Sequence, residues 1–167
     1  MTPRLHRFSR IAACASVALT SLCMASIASA AQQVATVAGM PRVVNAANMY
    51  SEAGTNHFSP AVAGALPRIY VPNLRGASVS VIDPATYKVV DTFPVGRSPQ
   101  HVVPAWDLQT LWVTNNSEGR NTGSLTPIDP KTGKPGASIP VDDPYNMYFT
   151  PDGKYAIVVA EIGRAHV

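Results

Sequence analysis

Residues 68–99 read RIYVPNLRGASVSVIDPATYKVVDTFPVGRSP, and residues 110–144 read TLWVTNNSEGRNTGSLTPIDPKTGKPGASIPVDDP. Each is a series of short runs rich in Val, Ile, Tyr, Trp and Phe, broken by Asp-Pro, Gly and Pro. Such runs are strands joined by tight turns. The two copies align in order. Tyr70-Val71-Pro72-Asn73 matches Trp112-Val113-Thr114-Asn115, 42 residues on. Ile82-Asp83-Pro84 matches Ile128-Asp129-Pro130, and Phe93-Pro94-Val95 matches Ile139-Pro140-Val141, both 46 on. His101 matches Asn146, Asp107 matches Asp152 and Val113 matches Val158, each 45 on. A period in the forties with four short strands per unit is the pattern of a β-propeller, an all-β fold of stacked repeats.

Outward from these copies, strands are predicted over Ile69–Val71, Ala77–Ile82, Lys88–Val95, His101–Pro104 and Thr110–Thr114. In IDPATYK (82–88) and IDPKTGK (128–134) the Asp side chain can accept backbone N–H bonds while Pro presets the next φ. TPDGK (150–154) is a hairpin turn with Gly153 free to take positive φ. The middle copy reads AWDLQ there, with Leu108 in the glycine place, so its turn is expected to differ. Residues 31–66, rich in Ala, Asn, Ser and Gly, form an N-terminal arm with one short strand around Gln33–Val37. No helix is predicted beyond residue 30.

The first 30 residues have the three parts of a secretory signal. Arg4, Arg7 and Arg10 precede an apolar run, Ile11–Ile27, and the small-x-small site Ala28-Ser29-Ala30 follows. Cleavage after Ala30 removes three of the 13 basic residues and both cysteines, Cys14 and Cys23. The remaining 10 basic residues balance the 10 acidic ones. A net charge of zero gives no support to a nucleic-acid or anionic-membrane partner. No cysteine is left for a disulfide, a thiolate nucleophile or a metal. A periplasmic or secreted location is therefore expected, with no membrane attachment after cleavage.

The motifs RIYVPN, TLWVTN, VSVIDPAT, FPVGRSP and TPDGKYAIVV resemble those of the YVTN-type, YncE-like seven-bladed β-propellers, a group of exported bacterial proteins. The resemblance covers about residues 67–161. It implies a partial propeller, about two to two and a half four-stranded antiparallel blades of a ring that has seven when complete. At roughly 42 residues per blade such a ring needs on the order of 300 residues, so the chain is expected to be a fragment. Ile162–Val167, IGRAHV, match no repeat position and match what one frame of a sequencing adapter encodes, so they are expected to be a non-native tail.

The blade order that the resemblance implies places the strand after FPVGRSP innermost. It puts Gly96, Arg97, Ser98, Gln100 and His101 near the channel mouth, with Asp142, Asp143, Tyr145 and Asn146 of the next blade. Asn73, Arg75, Asn115, Asn116, Glu118 and Arg120 then lie further out on the same face. Loops on one face of a rigid scaffold are where binding sites sit. His101 could ligate a metal or haem, shuttle protons, or simply bond a neighbouring loop. Asp142-Asp143 could hold a hard cation or an Arg-bearing partner, or be solvated loop. Arg75, Arg97 and Arg120 could cluster for an anion. Tyr70 and Trp112 share one repeat place and read as packing between blades.

No H-x-H, H-E-x-x-H, C-x-x-C-H, G-x-S-x-G or Gly-rich phosphate loop occurs, so no cofactor is evident and no catalytic residue is nominated. The reading that follows is an exported binding or scaffold propeller. It recognises an unidentified protein or small-molecule ligand through loops on one face and has no chemistry of its own. The alternative is the propeller part of a periplasmic haem-, copper- or quinone-linked redox enzyme, and a lactonase-type hydrolase stands behind both. DNA binding is associated with the family, but the charge balance lends it nothing.

Overall fold

The computed structural model describes residues 34–118, 120 and 122–161; the expected signal segment and the expected tail lie outside them. The described residues form ten strands: β1 Ile69–Asn73, β2 Ser78–Asp83, β3 Lys88–Pro94, β4 Pro99–Pro104 and β5 Leu111–Asn115, followed by β6 Ser124–Asp129, β7 Lys134–Pro135, β8 Ile139–Pro140, β9 Pro144–Phe149 and β10 Ala156–Ala160. A single 3-10 turn, Pro60–Val62, is capped by Ser59, whose side chain accepts from Ala61 N. The five strands predicted through residue 114 are all present, with ends shifted by one or two residues. The strand expected around Gln33–Val37 is absent from residues 34–37. That segment has no alternating apolar face and nothing to pair with.

The strands fall into three antiparallel sheets. β1-β2-β3 form the first, β4-β5-β6 with β7 and β8 the second, and β9-β10 the third. β7 and β8 both pair with β6, so they are one outer strand interrupted at Gly136–Ser138. The second sheet is therefore a complete four-stranded blade. It begins at Pro99, whereas the repeat as read from the sequence begins at the β1 and β5 motif. The sequence repeat and the structural blade are thus offset by one strand.

Period-two alternation decides which side chains meet. Tyr70 pairs with Val81, and Val79 with Phe93, so these four lie on one face of the first sheet. Leu111 pairs with Ile128 and Val113 with Thr126 on one face of the second. The two faces close on each other. Val79, Val81, Phe93, Val113 and Ile128 form a buried cluster flanked by Tyr70, Val95, Val102 and Leu111. Removing this apolar area from water is the main force holding blade to blade.

The turns divide the molecule into two ends. At the lower end, Tyr87 and Gly133 occupy the same repeat place, with φ 55° and 71°. Their N–H groups both reach back to the repeat aspartate, Tyr87 N to Asp83 O and Gly133 N to Asp129 O. Leu108 and Gly153 are likewise equivalent, with φ 60° and 69°. Leu108 N bonds Ala105 O at 2.9 Å, and Gly153 N bonds Thr150 O at 2.8 Å. The AWDLQ turn therefore does not differ from TPDGK, contrary to expectation. The flanking strand pairing forces leucine into a left-handed backbone that costs about 1–2 kcal/mol. The arm crosses this lower end. Leu66 N donates to Pro130 O at 2.8 Å, Gln109 Nε2 donates to Ala61 O, and Gly39 lies against Asp152.

Candidate functional site

The upper end is made by the residues that precede the inner strands and follow their partners. Pro99 pairs with Asn115, and Pro144 with Ala160, so segments 96–98, 116–118, 141–143 and Glu161 come together there. Asn116 N donates to Ser98 O and Ser117 N to Arg97 O, both at 3.2 Å. One blade on, Glu161 N donates to Asp143 O at 3.1 Å. Ser98 and Asp143 are thus repeat equivalents, and both take left-handed φ, 51° and 44°, just before a buried proline. Between them runs Gly123. A Cβ there would sit 2.7 Å from Asn115 O and Val141 O and would strike Pro144, so only glycine lets the segments approach.

The polar content of this end is buried. Ser98, Asn115, Asn116, Ser117 and Asp143 are each 4% exposed or less. Three of the five, Asn115, Asn116 and Ser117, make side-chain hydrogen bonds within the protein. Asn115 Nδ2 donates to Ser124 Oγ and Thr126 Oγ1 at 3.2 and 3.0 Å, while its buried Oδ1 has no partner among the described residues. Asn116 Nδ2 donates to Glu161 Oε2 at 2.8 Å, joining neighbouring blades, and its Oδ1 accepts from Glu118 N. Ser117 Oγ donates to Thr122 O at 3.1 Å. Ser98 uses its backbone carbonyl. Asp143 is 0% exposed, and neither carboxylate oxygen has a protein partner among the described residues. The solvated-loop reading fails for Asp143 and holds for Asp142, which is exposed. The left-handed backbone at 143 turns the first side chain inward and leaves its neighbour in water.

His101 sits on the inner strand of the complete blade, half-buried. Its Nδ1 lies 2.9 Å from Tyr145 O. A carbonyl can only accept, so Nδ1 carries a proton and donates. Thr114 Oγ1 donates to the same carbonyl at 2.7 Å and accepts from His101 N. The His101 and Tyr145 rings meet edge to face at 5.0 Å. This set clamps β4 and β5 to β9 of the next blade.

The other nominated residues are more dispersed in role. Asn73, the equivalent of Asn115, spends its amide on Ser78 Oγ and Ser80 Oγ at 3.1 and 2.9 Å. Asn146 Nδ2 donates to Tyr148 Oη, and its Oδ1 accepts from Met147 N. Gln100 is half-buried at the start of β4. Arg75, Arg97 and Arg120 are exposed, and none makes an ion pair among the described residues. Sequence reasoning missed Ser117, Thr114 and Glu161. Glu161 was legible, since it aligns with Asn116 45 residues earlier. Among the described residues no group of three or more His, Cys, Asp or Glu is placed to hold a metal ion.

The description YNCE-like beta-propeller matches residues 23–166. The chain belongs to this family. No curated protein matches the sequence. Among solved structures, Kuenenia stuttgartiensis Hydrazine Synthase is similar at 26% identity and a TM-score of 0.47, over 58% of this chain and 27% of that one. Dihydro-heme d1 dehydrogenase NirN in complex with DHE is similar at 17% identity and a TM-score of 0.44, over 56% of this chain and 19% of that one. This YNCE-like chain thus spans well under two thirds of either structure.

Proposed function

We propose that this YNCE-like propeller is an exported binding module that takes a cationic group through its upper-end loops and performs no chemistry there. The observation that carries the reading is Asp143. A buried carboxylate without a counter-charge or donor is strongly unfavourable, whereas a paired one is tolerated. No donor among the described residues reaches either Asp143 oxygen, and Asn115 Oδ1 in the same cluster is likewise left without one, so we assign the missing donor to a bound group. A guanidinium or ammonium group fits best. A hard cation such as Ca²⁺ wants six to eight oxygen ligands, and among the described residues Asp143 is the one carboxylate of the cluster left wholly without a partner, since Glu161 accepts from Asn116. Export is supported by the pattern of residues 1–30, the basic, apolar and small-x-small parts of a secretory signal.

Isothermal titration of the full chain with arginine amide, and separately with calcium chloride, tests the proposal. Arginine amide should bind wild type and not Asp143→Asn. Calcium binding that is lost in the same variant would keep the cation site and reassign its source. Absence of both, or binding equal in wild type and variant, would overturn it.

A further inference from the structure

The lower end holds a separate cleft of about 310 Å³ between the arm and the first two blades. We propose that it binds a compact apolar carboxylate. The hydrocarbon body lies against Val62, Leu66, Leu108 and Leu111, and the carboxylate is held by Tyr70 Oη and Arg68.

The lining sorts by chemistry. Val62 and Leu66 come from the arm, Arg68 and Tyr70 from β1 and the residue before it, Leu108 from the β4–β5 turn and Leu111 from the start of β5. The arm is fixed in place over the blades by the Leu66–Pro130 and Gln109–Ala61 bonds, so the space is bounded by two pinned walls rather than a loose flap. A cleft of this size is at the lower limit of small-molecule sites. Its walls are mostly apolar, and its two polar groups are both donors.

Tyr70 Oη is buried and has no partner among the described residues. Gly133 and Leu66 are its neighbours there, since a Cβ on Gly133 would lie 3.5 Å from Oη and 3.7 Å from Leu66 Cδ1. Burial pushes the phenol's pKa up, so it stays protonated and needs an acceptor. Arg68 engages one nitrogen and pairs loosely with the Asp83 carboxylate, leaving its other N–H groups for a ligand. Its Nη1 donates to Pro67 O at 2.9 Å and approaches Asp83 at 3.9 Å, and its other N–H groups have no acceptor among the described residues. A buried donor and an underused guanidinium beside an apolar wall call for an acceptor that carries negative charge on a hydrocarbon body. The same repeat place one blade on is Trp112, which offers no hydroxyl, so this donor is particular to the first sheet.

Titration of the full chain with 2-naphthoate, followed by its fluorescence, tests the site. Wild type should bind. Tyr70→Phe should bind about tenfold more weakly, the loss expected for a hydrogen bond to a charged group. It should melt no lower than wild type, because the hydroxyl it removes has no partner in the protein. Val62→Trp fills the cleft from the arm and should abolish binding without lowering the melting temperature of the blades. Asp143→Asn should leave naphthoate binding unchanged, so failure at either end of the molecule is distinguishable from failure at the other. The proposal is overturned if wild type binds no naphthoate. It is equally overturned if Tyr70→Phe and Val62→Trp bind as wild type does, or if Tyr70→Phe melts well below wild type.

Discussion

At the scale of single residues, the repeat exposes positions where backbone demand and side-chain choice disagree. Tyr87 and Gly133 do the same job at φ 55° and 71°, yet only glycine does it without strain. Tyr87 is 85% exposed and has little packing to lose. Tyr87→Gly should therefore stabilise the chain by about 0.5–1 kcal/mol, read from the midpoint of urea unfolding. Leu108 is a poorer test because it also lines the cleft. Gly123 is the opposite case. There the constraint is space, and Gly123→Ala should cost several kcal/mol, roughly the range of severe overpacking, or prevent folding. Asp143 shows why a site can hide in a sequence. Asp142-Asp143 looks like an ordinary hydrophilic loop, and nothing in its composition says that one aspartate turns inward. Only its repeat partner Ser98, also left-handed and buried, carries that signal.

At the scale of strands and blades, the account rests on equivalent residues in different surroundings. Val113 is fully buried by the first sheet, while its equivalent Val71 is 38% exposed. Val113→Ala should cost roughly 2 kcal/mol or more, and Val71→Ala well under about 1 kcal/mol. The same logic applies to the asparagine that ends β1 and β5. It ties its own strand to the hydroxyls of the next one, Ser78 and Ser80 in one blade, Ser124 and Thr126 in the other. Asn115→Ala should lose about 2–3 kcal/mol and Asn73→Ala about 1 kcal/mol, because only the former leaves a buried hydroxyl, Thr126 Oγ1, without its amide donor. Equal losses would show that burial is not what sets the value of the clip. Strand positions and turns were legible in the sequence because alternation and Asp-Pro or Asp-Gly punctuation are local properties. The repeat alone does not mark the blade boundary, since its motif starts one strand later than the hydrogen-bonded sheet; the family resemblance, which puts the strand after FPVGRSP innermost, does. The shape of the Leu108 turn was not legible, because strand pairing on either side overrides the residue's own backbone preference. His101 was legible as a candidate, but its bond to Tyr145 O depends on how two blades meet.

At the scale of the whole molecule, charge adds little to the core and something at the blade junctions. Lys134 on the outer strand of the second sheet donates to Asp91 on that of the first at 2.8 Å, and the bond holds the Asp91 carboxyl below its ordinary range. Asp129 and Asp152 are lowered as well, by backbone and hydroxyl donors of their own turns. For groups whose folded pKa is depressed, the contribution to stability is complete above the ordinary value, near 3.8, and is lost as pH falls through the folded one. Unfolding midpoints should hold steady near neutrality and drop below about pH 4, and Asp91→Asn should make that drop shallower. The central claim, that the upper end is a receptor for a cationic group, is tested most directly by the thermal midpoints of wild type and Asp143→Asn, each with and without arginine amide. Asparagine also accepts a left-handed backbone, so the variant removes charge rather than shape. The account predicts that the variant alone melts higher than wild type, by a margin worth about 1–3 kcal/mol, and that arginine amide raises wild type only. A variant that melts lower than wild type, or an equal response of both proteins to arginine amide, would contradict it.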